Sequence, residues 1–183
     1  KASEHHLEVA LANTPAVRDA FSAHVAPIRS LERQLPVGLF EGDVAANSAW
    51  TPGGSSQVDL WALSEDGEEL HIFELKAEGN KMVGMIPEAL YYARLLRAVA
   101  AGSPDGVEIG GDGEALSAIR GARRVVAWLT APVLHPLIYS ESRRDSPLVW
   151  LNAGLAKAGI EFRVLPLTQA SSQPRFDFGR IWP

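Results

Sequence analysis

The 183-residue sequence contains no cysteine. This absence excludes a disulfide-stapled scaffold, thiolate metal sites and cysteine nucleophiles, and it favours a reducing compartment, so we expect a cytoplasmic protein. The sequence also lacks an apolar run long enough for a membrane helix, and its first residues lack the apolar core of a signal peptide. We therefore expect no membrane partner.

The sequence also lacks a basic excess, since 22 acidic residues stand against 17 lysines and arginines for a net charge of -5. Proteins that bind nucleic acid over a broad surface usually carry the opposite balance. Phosphate contacts confined to one face, or carboxylates offset by a metal ion, remain compatible with this charge. Hydrophobic residues make up 46% of the chain, which predicts one globular domain over residues 1–183.

Hydrophobic periodicity and turn residues predict an alternation of helices and strands. The predicted helices are Ser3 to Ala12 capped by Ser3, Ala16 to Val25, Glu88 to Ala100 after Pro87, Glu114 to Ile119, and Pro147 to Ala158. The predicted strands outside the hairpin described next are Gln34 to Val44, Arg124 to Thr130, and Ile160 to Leu167. We expect a loop over Ser103 to Gly113 and a loosely attached tail from about Thr168. This order predicts an α/β fold with a mixed central sheet flanked by helices on both faces.

Two strand-like segments, Gln57 to Ser64 and Glu69 to Lys76, are joined through an Asp66-Gly67 pair. Asp-Gly between two such segments is a strong hairpin signal, and a two-residue loop centred on it fixes the register. In that register Asp59 lies opposite Glu74, with β-carbons roughly 4.5 to 5.5 Å apart and both side chains on one face.

Like charges that face each other in apolar strands are unfavourable. We therefore expect a cation that compensates the charges of Asp59 and Glu74. A hard ion such as Mg²⁺, with Mn²⁺ as a substitute, prefers carboxylate oxygens and phosphate, and the Leu75 carbonyl can add a ligand. Lys76 follows on the same face and supplies a compact positive charge, whether as a base or as an orienting group. Such a site can bind a phosphodiester and activate water to attack it.

These residues carry a resemblance to a known family. Val58-Asp59 followed by Phe73-Glu74-Leu75-Lys76 resembles the acidic residue and Glu-x-Lys of the PD-(D/E)XK, or restriction-endonuclease-like, nuclease superfamily. The proline that gives the motif its name is absent before Asp59. Glu88 to Tyr92 is similar to the Gln-x-x-x-Tyr signature of several branches, with Glu88 in place of the glutamine.

The resemblance implies a Mg²⁺-dependent nuclease that hydrolyses phosphodiester bonds. DNA is the expected substrate, and the expected role is in defence, repair or a mobile element. It implies Asp59, Glu74 and the Leu75 carbonyl as metal ligands, joined by an acidic residue from the initial helix. Glu8 is the first candidate for that place, and Glu4 and Glu41 are alternatives. The implied catalytic residues are Asp59, Glu74, Lys76, Glu88 and Tyr92.

Other interpretations stay open at this stage. Asp59, Glu74 and Lys76 can form an ordinary cross-strand ion-pair network in a catalytically inactive nuclease-fold module that binds nucleic acid or a protein partner. A phosphatase or another metal hydrolase is a third reading. DNA versus RNA, endo- versus exonuclease action, one or two metals, and monomer versus homodimer are also left open. The hairpin register turns His71 to the face opposite Glu74, so no histidine metal site is expected.

Overall fold

The computed structural model describes residues 3–40, 57–78, 83–102, 108–111, 113–139, 146–168 and 173–182. Its helices are α1 (Glu4–Ala12), α2 (Pro15–His24), α3 (Met85–Ala100), α4 (Gly113–Ile119) and α5 (Pro147–Leu155). Its strands are β1 (Glu32–Phe40), β2 (Gln57–Leu63), β3 (Glu69–Leu75), β4 (Glu108–Gly111), β5 (Arg124–Thr130), β6 (Ile160–Val164), β7 (Leu167–Thr168) and β8 (Arg175–Phe176).

Six strands form one mixed sheet in the order β4-β1-β2-β3-β5-β6, and β7 pairs with β8 in a separate ribbon. Along β4, β1, β2 and β3, each strand is antiparallel to the next. The strands β3, β5 and β6 are parallel, which requires the crossover that α3 and α5 provide. The predicted mixed α/β sheet is thereby confirmed.

Alternate residues of β3 serve two separate cores, one on each face of the sheet. Leu70 and Ile72 belong to the core beneath α3, whereas Phe73 and Leu75 belong to the core beneath α1 and α2. This alternation is the period of two that strand geometry imposes. All four side chains are buried, as expected for a central strand covered by helices on both faces.

The hairpin between β2 and β3 has the predicted register, with Leu60 opposite Phe73 and Leu63 opposite Leu70. Its turn is longer than predicted, because the last backbone hydrogen bond joins the Ser64 N–H to the Glu69 carbonyl at 2.9 Å. Gly67, with φ of 78°, closes a turn by donating to the Ser64 carbonyl at 2.9 Å. A four-residue loop with the same centre pairs the same residues as a two-residue loop, so the register is unaffected.

Three other expectations are corrected by the structure. The predicted loop over residues 103–113 contains β4, which pairs with the second half of β1. Helix α3 begins at Met85, so that Pro87 lies in the first turn, where its missing N–H would have had no helical partner. The described part of the tail is not loosely attached, because Phe176 and Trp182 are buried and Trp182 exchanges backbone hydrogen bonds with Val164.

The longest of the described helices, α3, has 16 residues and packs one face against the sheet. Among the helices in the described ranges, none is both long and apolar enough to cross a bilayer.

The Gly67 conformation generates a stability prediction. A Gly67→Ala substitution should lower the free energy of unfolding by about 1 kcal/mol, because the left-handed conformation is strained for residues with a β-carbon. The added Cβ would also lie 3.2 Å from the Arg29 guanidinium. Urea denaturation followed by circular dichroism measures the change.

Gly154 in α5 is the matched control, since a Cβ added there meets nothing within 4 Å. Gly154→Ala should raise the free energy of unfolding by up to about 1 kcal/mol, because alanine favours a helix. Equal effects of the two substitutions would contradict the assigned turn.

Candidate metal centre

The acidic residues of the hairpin lie where β2 and β3 approach their ends. Asp59 is half-buried, whereas Glu74 is only 4% exposed. The register that pairs Leu60 with Phe73 places Asp59 opposite Glu74 at the next position. The N–H of Leu75 donates to Asp59 Oδ2 at 2.7 Å, so the aspartate side chain replaces a backbone partner there. The turn therefore brings two carboxylates together, and Leu75 holds one of them in place.

The two carboxylates are electrostatically unfavourable where they stand. Burial raises the pKa of Asp59 to about 7, although the Leu75 N–H and the Lys76 charge act in the opposite direction. Burial and the neighbouring Asp59 charge raise the pKa of Glu74 to about 9, and the contact with Lys76 does not outweigh them. Without a further cation, the pair therefore favours at least one bound proton at neutral pH.

Lys76 is the cation nearest to this pair. Its Nζ contacts Glu74 Oε1 and lies 3.1 Å from Glu88 Oε2. Burial alone would lower the pKa of Lys76, but the charges of Glu74 and Glu88 and the hydrogen bonds to both raise it above its ordinary value. Lys76 is therefore held as an ammonium group. It lies beside Glu74, as the sequence predicted.

Helix α3 supplies the two residues of the Glu-x-x-x-Tyr segment to the same place. Glu88 lies in the first turn of α3 and is half-exposed, while Tyr92, one turn later, is only 6% exposed. Burial and the charges of Glu88, Glu74 and Asp59 raise the pKa of Tyr92 to about 12, against a hydrogen bond from the backbone of Gln57. The Tyr92 phenol is therefore a neutral hydrogen-bonding group beside the carboxylates.

Helix α1 brings two further glutamates to Asp59. Glu8 is 5% exposed and accepts a hydrogen bond from the Gln34 side-chain amide at 3.0 Å. The Ala77 N–H donates to Glu4 Oε1 at 3.4 Å, which ties the start of α1 to the end of β3. The charges of both glutamates contribute to the raised pKa of Asp59. The third predicted alternative, Glu41, lies outside the described residues.

The carboxylate oxygens of Asp59 and Glu74 are ligands of the kind that a hard divalent cation prefers. Across the described ranges, no three histidine, cysteine, aspartate or glutamate side chains form a complete metal-binding group. Mg²⁺ does not need one, because it keeps several waters and is commonly held by one or two carboxylates together with substrate phosphate. Asp59 and Glu74 supply those carboxylates, and a positive ion there would offset the charge repulsion between them.

The structure thus gathers the predicted residues Asp59, Glu74, Lys76, Glu88, Tyr92 and Glu8 around one end of the central hairpin. His71 lies on the opposite face as predicted, where its Nδ1 accepts from Trp128 Nε1 at 3.2 Å. Sequence reasoning missed Arg33 and Gln34, which both contact Glu8. No local sequence signal identified them, because a long segment separates β1 from β2 and its sequence does not fix the register in which the two strands pair.

Comparison with known proteins adds little to this geometry. No family model and no curated protein sequence matches the chain. Among solved structures, Pyrococcus furiosus SfsA in complex with Ca²⁺ matches 66% of this chain and 47% of its own, at 13% identity and a TM-score of 0.30. The match therefore spans less than half of that protein, and we assign no activity from it.

The raised pKa of Glu74 predicts a stability change with pH. A buried carboxyl whose pKa is raised favours folding below its ordinary pKa, and this contribution is lost as pH rises towards about 9. In EDTA, Glu74→Gln should be near wild type in unfolding free energy at pH 5 and more stable at pH 8.5. A difference of at least about 1 kcal/mol is expected, since one pKa unit corresponds to about 1.4 kcal/mol.

Glu161→Gln is the control, because Glu161 forms ion pairs with Arg124 and Arg163 and its loss should give no gain at either pH. Urea titrations at the two pH values make the comparison. A Glu74→Gln protein that is no more stable than wild type at pH 8.5 would show that Glu74 is not an unfavourable buried charge.

Proposed function

We propose that this chain is a Mg²⁺-dependent nuclease that hydrolyses phosphodiester bonds in DNA. The observation that carries the proposal is the opposition of Asp59 to the buried Glu74, with the Lys76 ammonium in contact. The likeness of Asp59 and Glu74-Leu75-Lys76 to the PD-(D/E)XK motif supports phosphodiester chemistry and DNA as the substrate.

Asp59 and Glu74 would hold the metal ion, with the Leu75 carbonyl as a further ligand. When bound, the ion supplies a site for a phosphate oxygen, an acidified water and stabilisation of the charge that develops on the phosphate. Asp59 is prepared for this role, because the Leu75 N–H holds Oδ2 through a hydrogen bond of 2.7 Å. The fixed carboxylate needs little reorganisation when a cation binds.

Lys76 acts as a fixed positive charge in this scheme. The groups that hold it as an ammonium, Glu74 and Glu88, leave it unsuited to accept a proton from water. An ammonium of this kind stabilises negative charge that grows on a phosphate oxygen during attack. Glu88 orients Lys76 through the 3.1 Å contact, and a glutamine at this position would offer a similar acceptor.

Tyr92 and Glu8 complete the proposed arrangement from the two faces of the sheet. Tyr92 keeps its proton and offers a hydrogen bond near Glu88 and Glu74. Glu8 adds a buried carboxylate whose negative charge acts on Asp59, so a cation bound there would be stabilised further.

A second candidate function is a catalytically inactive module of the same fold that binds nucleic acid or a protein. The contacts of Lys76 with both Glu74 and Glu88 favour it, because they form an ion-pair network without any metal. In that case Lys76 is a structural counter-ion, and the carboxylates take part in no reaction.

The first test is cleavage of labelled DNA in Mg²⁺ or Mn²⁺. We expect wild type to cleave, EDTA to stop cleavage, and Asp59→Asn, Glu74→Gln and Lys76→Ala each to lower the rate by at least about a hundredfold, as expected for loss of transition-state charge stabilisation. Single-turnover assays on single-stranded and double-stranded substrates measure the rates.

The matched controls are Asp19→Asn, Glu65→Gln and Lys157→Ala, which change the same residue types at exposed positions. They should cleave at the wild-type rate. Full activity in all three hairpin variants would refute the assigned site, even if the protein is a nuclease.

The second test separates the nuclease from the inactive module through metal binding alone. Mn²⁺ should raise the melting temperature of wild type, because an ion that binds only the folded state stabilises it. The rise should be absent in a protein carrying both Asp59→Asn and Glu74→Gln. A wild-type melting temperature that does not respond to millimolar Mn²⁺ would favour the inactive module.

A further inference from the structure

Gln34 has an unusual backbone conformation for its place in the fold. Its φ is 52°, and it is the one non-glycine residue with positive φ among those described. It lies inside β1, where regular strand geometry requires a negative φ. Residues with a β-carbon adopt this left-handed region at a cost in free energy, and such strain often marks a functional position.

The strained residue lies directly across from the candidate metal centre. In the pairing of β1 with β2, Arg33 is opposite Leu60 and Leu35 is opposite Val58. Gln34 lies between these pairs, which places it across from Asp59. The irregular residue of β1 and the acidic residue of β2 therefore occupy the same position of the ladder.

The conformation of Gln34 changes where its side chain points. Neighbouring residues of a regular strand project to opposite faces of the sheet. Arg33 Nη2 and Gln34 Nε2 nevertheless both donate to the same atom, Glu8 Oε2, at 3.4 and 3.0 Å. The left-handed residue breaks the alternation, so two consecutive side chains of β1 hold one carboxylate of α1.

Glu8 is held through one of its two oxygens. Its contacts with Arg33, Gln34 and His5 Nδ1 all involve Oε2, and its side chain is almost fully buried. Gln34, which donates to Glu8, lies across from Asp59 in the ladder, and the Glu8 charge contributes to the raised pKa of Asp59.

We propose that Gln34 is a positioning residue of the metal centre, whose left-handed backbone directs its amide onto Glu8 and holds that carboxylate beside Asp59. This inference rests on the proposed function, because it assigns to Glu8 a place in the ligand set. Gln34 acts through Glu8 and does not itself touch the reacting atoms. Its strained conformation is retained because a regular residue there would turn the amide away from α1.

The test is the affinity for Mn²⁺ alone, measured by electron paramagnetic resonance on the full chain without DNA. Gln34→Gly removes the amide but adopts positive φ without strain. We expect its Mn²⁺ dissociation constant to rise at least about tenfold, as is typical when a group that orients a metal ligand is lost. Its melting temperature without metal should be equal to or above that of wild type. A merely structural role would instead lower the melting temperature without metal.

Glu8→Gln provides the decisive background. If Gln34 acts through the Glu8 charge, adding Gln34→Gly to Glu8→Gln should weaken Mn²⁺ binding no further, so the two effects are non-additive. Gln173→Gly, at an exposed glutamine near the end of the chain, is the control and should leave the affinity unchanged.

The outcomes separate this inference from the function on which it rests. A wild-type protein that binds no Mn²⁺ overturns the proposed function and the inference together. A wild-type protein that binds Mn²⁺, with Gln34→Gly binding equally well or with additive effects in the Glu8→Gln background, overturns the inference alone.

If Gln34→Gly does not fold, Gln34→Asn replaces it, because asparagine tolerates the left-handed region but withdraws the amide by one methylene. The same weakening of Mn²⁺ binding is expected.

Discussion

The structure around the central hairpin depends on one electrostatic constraint, which is the opposition of Asp59 and Glu74 in strands that are covered on both faces. Burial favours the protonated form of both side chains, and the Asp59 charge adds to this effect at Glu74. Lys76 contacts Glu74 and Glu88, so a single ammonium is shared between two carboxylates. Together with Glu8, whose charge also acts on Asp59, these carboxylates outnumber the one ammonium group among them. The divalent cation that we propose would supply further positive charge, and these oxygens are ligands of the kind that a hard cation prefers.

Much of this arrangement could be predicted from sequence because it is local. Asp66 and Gly67 mark the turn, and the parity of the strands then decides which side chains share a face. The prediction was robust to an error in the turn itself, since Ser64 and Glu69 close a loop of four residues with an unchanged centre. Glu88 and Tyr92 also reach the site as predicted, since they lie one turn apart on the helix that follows the hairpin.

The parts that could not be predicted depend on contacts between distant segments. The strand β4 has only four residues and consists largely of glycine at its end, so no hydrophobic alternation identifies it; its pairing with β1 creates the strand. The tail is anchored by Phe176 and Trp182, two aromatics that are buried against other elements of the fold. The conformation of Gln34 also depends on a distant contact. Glutamine has no preference for positive φ, and its partner Glu8 is 26 residues away in the sequence.

Two separate unfavourable features meet at the same position of the fold, and this coincidence bears on how the site is interpreted. A buried ion-pair network serves stability poorly, because apolar side chains of similar volume often do as well or better. A strained residue inside a strand also works against stability. If Asp59, Glu74 and Lys76 were only a structural network, the strain at Gln34 would need a separate explanation. The proposed metal centre would explain both, because a cation binds best to carboxylates that are already in place, and the left-handed Gln34 holds Glu8 from the position across from Asp59. The cost in stability would then be confined to the proposed ligands and to the residue that holds one of them, which is the distribution expected of a functional site and not of a scaffold.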